Sequence, residues 1–143
     1  MAFAARDLLA IQDLKTYFYS REGVVKAVDG VTLTIGHGQT VGLVGESGSG
    51  KSVTALSIMG LIDYPGKVEH GRSIRYEGNE LTTLDAEEMR QVRGDQIAMI
   101  FQEPMTSLNP VYTIGDQIAE TIRFHQKVTK KQAWTRSIEM LGL

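Results

Sequence analysis

Cysteine is absent from the 143 residues. That excludes disulfides, thiolate metal sites and a cysteine nucleophile within them, and it fits a cytoplasmic setting. No apolar run reaches the roughly 18 residues that a membrane-crossing helix needs. The opening residues, Met1-Ala2-Phe3-Ala4-Ala5-Arg6-Asp7, have neither the basic start nor the long apolar stretch of a secretory leader. A dominant charge is lacking too: 15 Lys and Arg stand against 17 Asp and Glu, a net charge of −2. That balance gives no support for a nucleic-acid partner. There is no internal repeat and no low-complexity segment. What is present is an ordinary globular composition, 42% apolar, enough for the core of one domain or part of one.

The most informative stretch is Gly45-Glu46-Ser47-Gly48-Ser49-Gly50-Lys51-Ser52, which fits G-x-x-x-x-G-K-[ST] without a mismatch. An apolar run of strand length, Thr40-Val41-Gly42-Leu43-Val44, precedes it, and Val53 to Ile62 reads as a helix. Strand, glycine loop and helix form the setting of a phosphate-binding loop. Gly45, Gly48 and Gly50 let backbone N–H groups curl around a polyphosphate. The helix N-terminus adds unpaired donors and the positive end of its dipole. Lys51 is expected to contact the β- and γ-phosphates and Ser52 to bind Mg²⁺. A flexible Gly/Ser turn would account for the glycines but not for Lys51-Ser52. A carboxylate beside polyphosphate is unfavourable, so Glu46 is expected to face solvent.

The remaining pattern is mixed α/β. A strand is expected within Leu8–Tyr19, a turn at Glu22-Gly23, a strand over Val24–Val28 and a hairpin turn at Asp29-Gly30. The alternating Val31–Ile35 reads as a half-buried strand, and Gly36-His37-Gly38 as a turn. Thr40–Val44 and Gln96–Phe101 read as buried strands, the first as a parallel strand covered on both faces. The helix from Lys51 to Ile62 puts Ala55, Ile58, Met59 and Ile62 on one face, with Val53 and Leu56 beside it, and should be well buried. Pro65-Gly66 breaks the chain, and Ser73–Glu77 suits an edge strand. Asp85-Ala86-Glu87-Glu88 has the form of a capping box opening a short helix to about Arg93. Thr113 can cap a helix striped by Ile114, Ile118 and Ile122. Thr129-Lys130-Lys131-Gln132 is another capping box, opening a helix with Trp134, Ile138 and Leu141 on one stripe. His37, His70 and His125 are scattered and form no ligand cluster; surface positions are expected for them. Lys127, Lys130 and Lys131 read as a solvated face.

A phosphate-binding loop alone does not name a function. No Asn-Lys-x-Asp guanine motif is present, and the loop lies behind a β-rich stretch, which together disfavour a GTPase. A second segment narrows the field: Met99-Ile100-Phe101-Gln102-Glu103-Pro104-Met105-Thr106-Ser107-Leu108-Asn109-Pro110. Together with Val44–Ser52 it closely resembles the nucleotide-binding subunits of ABC transporters, in particular the oligopeptide/dipeptide (and nickel) importer branch, over nearly the whole chain from Leu8 onward.

The resemblance implies an α/β fold of the P-loop NTPase, ABC ATPase type. It would comprise an N-terminal antiparallel β subdomain (about 1–39), an incomplete core sheet with phosphate loop and Q-loop (40–112) and the start of a helical subdomain (113–143). It implies ATP and Mg²⁺ as cofactors. Gly45, Glu46, Ser47, Gly48, Ser49, Gly50, Lys51 and Ser52 match the Walker A segment, with Val53 next to them. Gln102 matches the Q-loop glutamine, which reaches Mg²⁺ and the attacking water and senses the membrane subunits; an amide offers both an acceptor and a donor for this. Lys51 and Gln102 would take part in catalysis, Ser52 and Gln102 in metal binding. An aromatic against the adenine falls to Phe18, with Tyr17 and Tyr19 as alternates; a packing role in the β subdomain would serve such a ring equally well.

The implied partners are membrane subunits, met by the region from Phe101 to about Gln126, and a second ATP-binding subunit that completes a dimer around two MgATP. The implied location is the cytoplasmic face of the cell membrane. The family's signature motif, Walker B strand with its Asp-Glu and switch histidine have no match in these residues. The sequence therefore reads as an N-terminal fragment of a protein about twice as long, inactive or nearly so by itself. The competing reading is a stand-alone, non-catalytic nucleotide-binding module that regulates an ABC subunit.

Overall fold

The computed structural model of the chain describes residues 7–69, 71–102 and 108–142. It divides into two compact units, Met1–Met89 and Arg90–Leu143. His70 and the stretch 103–107 lie outside the described residues.

The first unit is built on β1 (Asp7–Ser20), whose two edges are both paired. β2 (Gly23–Gly36) runs antiparallel along one edge, after a turn at Arg21-Glu22. The other edge is shared. β4 (Ser73–Tyr76) covers Leu9–Gln12, and β3 (Gly66–Val68) covers Thr16–Phe18. The two-residue β5 (Asn79–Glu80) flanks β4, so the expected edge strand has a short neighbour on its outer side.

The expected hairpin turn at Asp29-Gly30 is instead a bulge inside one continuous strand. Leu14 faces Val31 while Lys15 faces Asp29, which leaves Gly30 as the extra residue, with φ 91°. A positive φ at glycine serves a bulge as readily as a hairpin turn, so the Asp-Gly doublet does not separate the two. β1 carries its own bulge between Ile11 and Leu14, where Asp13 takes φ 49° and its N–H donates to Thr32 Oγ1 at 3.0 Å. The extra residue resets the alternation, and Ile11, Leu14 and Thr16 are all fully buried.

α1 (Lys51–Ile58) ends earlier than the apolar pattern suggests, because Gly60 adopts φ 60° just beyond it. Its buried members are the polar Thr54 and Ser57, whereas Ala55 and Ile58 stay half-buried. The Ser57 hydroxyl meets Thr16 of β1, and of the expected apolar stripe only Met59, just past the helix, is buried. Thr40–Val44 forms no strand: Leu43 is half exposed and Val44 is 94% exposed. A parallel strand exists only through neighbours that pair with it and layers that cover it, and none flanks it among the described residues.

Asp85 and Glu88, still in the first unit, complete the capping box of α2 (Ala86–Val92): Glu88 N–H donates to Asp85 Oδ1 at 2.8 Å and Asp85 N–H to Glu88 Oε2 at 2.9 Å. Gln96–Phe101 contributes only an isolated bridge, Arg93 to Ile97, and not the expected strand. Ile100 is 93% exposed, and the reason is the same lack of pairing. α3 (Ile114–Gln126) starts at Thr113, whose hydroxyl accepts from Asp116 N–H at 3.1 Å. α4 (Lys130–Leu141) starts at the Thr129/Gln132 capping box.

The helix pair packs around Ala119, Ile122 and Ala133, with Ile118 and Val128 against them. The inward residues of α4 are Ala133 and Ser137, while Trp134, Ile138 and Leu141 are exposed. This reverses the expected stripe. A connection of three residues holds the two helices close, and small side chains fit that approach where large ones would not.

Glu80 ties the β4–β5 turn together, accepting from Ser73 Oγ, Ile74 N–H, Thr82 N–H and Thr82 Oγ1. Burial alone would raise its carboxyl. The hydrogen bonds from Ser73 and Thr82 and the two backbone N–H groups outweigh that and hold it below the ordinary 4.5. A lowered folded value stabilises above the unfolded value and is lost as pH falls through the folded one. Glu80→Gln should therefore lower the urea midpoint at pH 7, and the gap to the parent chain should close as the pH is taken below 4.5. A gap that is constant with pH would contradict this account.

Candidate phosphate-binding site

The loop Gly45–Ser52 sits at the N-terminus of α1 in the first unit. Gly50 occupies the N-cap with φ 89° and offers no side chain to the first-turn N–H groups, so these donors stay available to a ligand. A Cβ at Gly50 would collide with the carbonyl oxygen of Ala27 and make ordinary contact with Val28. Glycine is thus required both by the dihedral and by the closeness of β2. A Cβ at Gly45 would likewise strike the Ser49 hydroxyl. Ser49 N–H closes the turn onto the Glu46 carbonyl at 3.2 Å, and Thr54 N–H and Oγ1 both bond Gly50 O, at 2.8 and 2.9 Å.

The Lys51 ammonium lies within this loop. Nζ donates to the carbonyls of Gly45 (2.7 Å) and Glu46 (2.6 Å) and to Ser49 Oγ (3.2 Å). Three oxygens hold the cation where an anion's oxygens would meet it. Ser47, Gly48, Ser49 and Ser52 are exposed around it, Val53 is half-buried, and Glu46 is exposed as expected. A hydroxyl beside uncapped N–H groups and an ammonium is a donor set that fits a polyphosphate with its divalent cation. Ser52 is the residue here that would hold Mg²⁺, the cation that neutralises phosphate charge when bound.

The three aromatic candidates on β1 differ in surroundings. Tyr17 donates its hydroxyl to Asp29 Oδ1 at 2.5 Å and lies under Lys26 Nζ, 5.3 Å from the ring centroid. That hydrogen bond to a carboxylate pushes the Tyr17 phenol up to about 12 and pulls Asp29 down. Tyr19 donates to Glu69 Oε1 at 2.6 Å, which raises its phenol in the same way. Phe18 is half-buried, its ring over Gly66. All three belong to the same compact unit as the phosphate loop.

Gln102 lies exposed in a bend of the second unit, at the end of an irregular stretch rather than of a strand. The loop that follows it falls largely outside the described residues. Lys127, Lys130 and Lys131 are exposed. His37 is exposed too, whereas His125 is half-buried, edge-on to Phe124 and against Gly94. Among the described residues no group of three or more His, Cys, Asp or Glu converges on a metal position.

The residues that pattern reading passed over are those under the loop. Ala27 and Val28 of β2 seat Gly50, and Thr16 of β1 meets Ser57 of α1 at 2.7 Å. Two hydroxyl residues at i and i+3, Thr54 and Ser57, among the apolar residues from Val53 to Ile58 were the available signal.

The family model described as ABC transporter matches residues 28–143. The chain is 50% identical over 136 residues to the oligopeptide transport ATP-binding protein AppD of Bacillus subtilis, covering 95% of this chain and 42% of that protein. It is 46% identical over 135 residues to the dipeptide transport ATP-binding protein DppD of Escherichia coli, covering 94% and 41%. It therefore spans about two fifths of the length of the curated relatives it matches. Among solved structures, the ATP-binding cassette MJ0796 in a dimeric post-hydrolysis state bound to ADP and Pi superposes with a TM-score of 0.76 at 21% identity. The match covers 94% of this chain and 56% of that one. A second dimeric structure of MJ0796 gives 0.77 at 24% identity. At that identity the likeness is one of fold.

Gly50→Ala tests the geometry of the loop. The strain of a positive φ and the collision with Ala27 should weaken polyphosphate binding by about tenfold or more. Calorimetric titration measures this, and an unchanged affinity would show that the loop can relax around the methyl group.

Proposed function

Because this chain belongs to the ABC transporter family, we propose that it is part of the ATP-binding subunit of an importer of oligopeptides or dipeptides. The observation that carries the ATP reading is the Lys51 ammonium held inside an uncapped, glycine-walled loop at a helix N-terminus. The names of the relatives, both peptide-transport ATP-binding proteins, support the choice of cargo.

In this reading the backbone N–H groups of Gly48 to Ser52 and the Lys51 ammonium bind and orient the phosphate chain of ATP. Ser52 holds Mg²⁺. Phe18, or one of its neighbours Tyr17 and Tyr19, meets the adenine. Gln102 orients the attacking water and responds to the membrane subunits through the segment that follows it. Two such subunits bind as a dimer at the cytoplasmic face of the membrane, with residues 113–143 opening the helical subdomain. The family's Walker B strand with its Asp-Glu, which would supply the carboxylate for phosphoryl transfer, has no match in these residues. The chain by itself is thus an ATP binder with little or no hydrolytic activity.

MgATP titration of the 143-residue chain should give saturable binding that Lys51→Ala weakens by about tenfold or more, since a charge-assisted contact to phosphate is lost. No binding by a folded chain would overturn the ATP reading. In a subunit carrying the complete domain, Gln102→Ala should reduce peptide uptake by about tenfold or more while leaving ATP affinity within roughly twofold. Unchanged uptake would remove Gln102 from its role.

A further inference from the structure

Thr16 on β1 and Ser57 on α1 are 41 residues apart in sequence, 0% and 3% exposed, and joined hydroxyl to hydroxyl at 2.7 Å. Ser57 Oγ also donates to the Val53 carbonyl at 2.7 Å. Its single hydrogen is thereby used, so Thr16 Oγ1 donates to Ser57. The same level of the β1–β2 hairpin provides the other support of the phosphate loop. Thr16 faces Val28, Tyr17 faces Lys26, and Ala27 is left over as a bulge. It is on Ala27 and Val28 that Gly50 rests. One end of α1 is thus seated on β2, and the other is tied to β1.

The residues on either side of these supports are those of the candidate site. Tyr17, Phe18 and Tyr19 follow Thr16 directly, and Lys51 and Ser52 stand at the seated end of the helix carrying Ser57. A hydrophobic contact alone would let the helix slide along the sheet, whereas a buried hydroxyl pair is directional and is costly to separate without water. We infer that the Thr16–Ser57 pair is a positioning device. It fixes the spacing between the ring-bearing end of β1 and the phosphate-binding end of α1, so that the nucleoside and the polyphosphate of one ligand are met together. The inference rests on the ATP-binding reading above.

The test compares two ligands on the whole chain: MgATP, and magnesium tripolyphosphate, which carries the phosphates without the nucleoside. Thr16→Val keeps the shape and leaves Ser57 its bond to Val53. It should weaken ATP about five- to tenfold and change tripolyphosphate by less than about twofold. Thr16→Ser, which keeps the hydroxyl, should restore ATP binding. Ser57→Ala should reproduce the effect of Thr16→Val, with little further loss in the double variant, and serves in its place if Thr16→Val does not fold. Equal losses for both ligands, or an unchanged preference for ATP in both variants, would overturn the inference. A parent chain that prefers ATP no more than tripolyphosphate would overturn the nucleoside half of the functional reading instead. A parent chain that binds neither would overturn that reading as a whole.

Discussion

The pairing of β1 along both edges is the constraint on which the first unit depends. One 14-residue strand carries β2 on one side and β4 and β3 on the other, and its inward side chains, Ile11, Leu14 and Thr16, supply much of the buried interior. The phosphate loop has no sheet of its own to stand on among the described residues. It is held by this hairpin, through Gly50 on Ala27 and through Ser57 on Thr16. A ladder of backbone hydrogen bonds thus gives a glycine-rich loop a definite place, although such loops gain little from side-chain packing.

Bulges make this arrangement possible. A strand alternating strictly from Ile11 would turn both Leu14 and Thr16 away from the face that Ile11 takes. The irregularities at Asp13, Ala27 and Gly30 change which face each side chain takes and increase the local twist. Of the three, Ala27 adjoins Tyr17, Phe18 and Tyr19, since it falls between the partners of Thr16 and Tyr17. The bulge at Ala27 is therefore the irregularity that adjoins both the ring-bearing end of β1 and Gly50.

What could be read from the chain followed the range of the interactions involved. The caps at Asp85, Thr113 and Thr129 were legible because donor and acceptor lie within three residues. The glycine loop running into the start of α1 was legible for the same reason, since its residues shape one another. Thr40–Val44 and Gln96–Phe101 have the composition of buried strands, yet composition does not supply the neighbours a strand pairs with. Asp29-Gly30 was ambiguous because turn and bulge ask the same dihedral of glycine. On α4 the large residues Trp134, Ile138 and Leu141 set the apparent stripe, but the distance between α3 and α4 selected Ala133 and Ser137. The Thr16–Ser57 contact lay beyond any local pattern.

The three bonds that Lys51 makes inside its own loop have a consequence for discrimination among anions. The ammonium is already satisfied by two carbonyls and a hydroxyl, so an incoming anion has to offer more than those neutral oxygens do. A single weakly charged ion meets a cation with little to gain from the exchange. A polyphosphate brings several charged oxygens at once and can engage the helix N-terminus in the same event. On the ATP reading, this internal competition would set a threshold for occupancy that small monovalent anions do not meet.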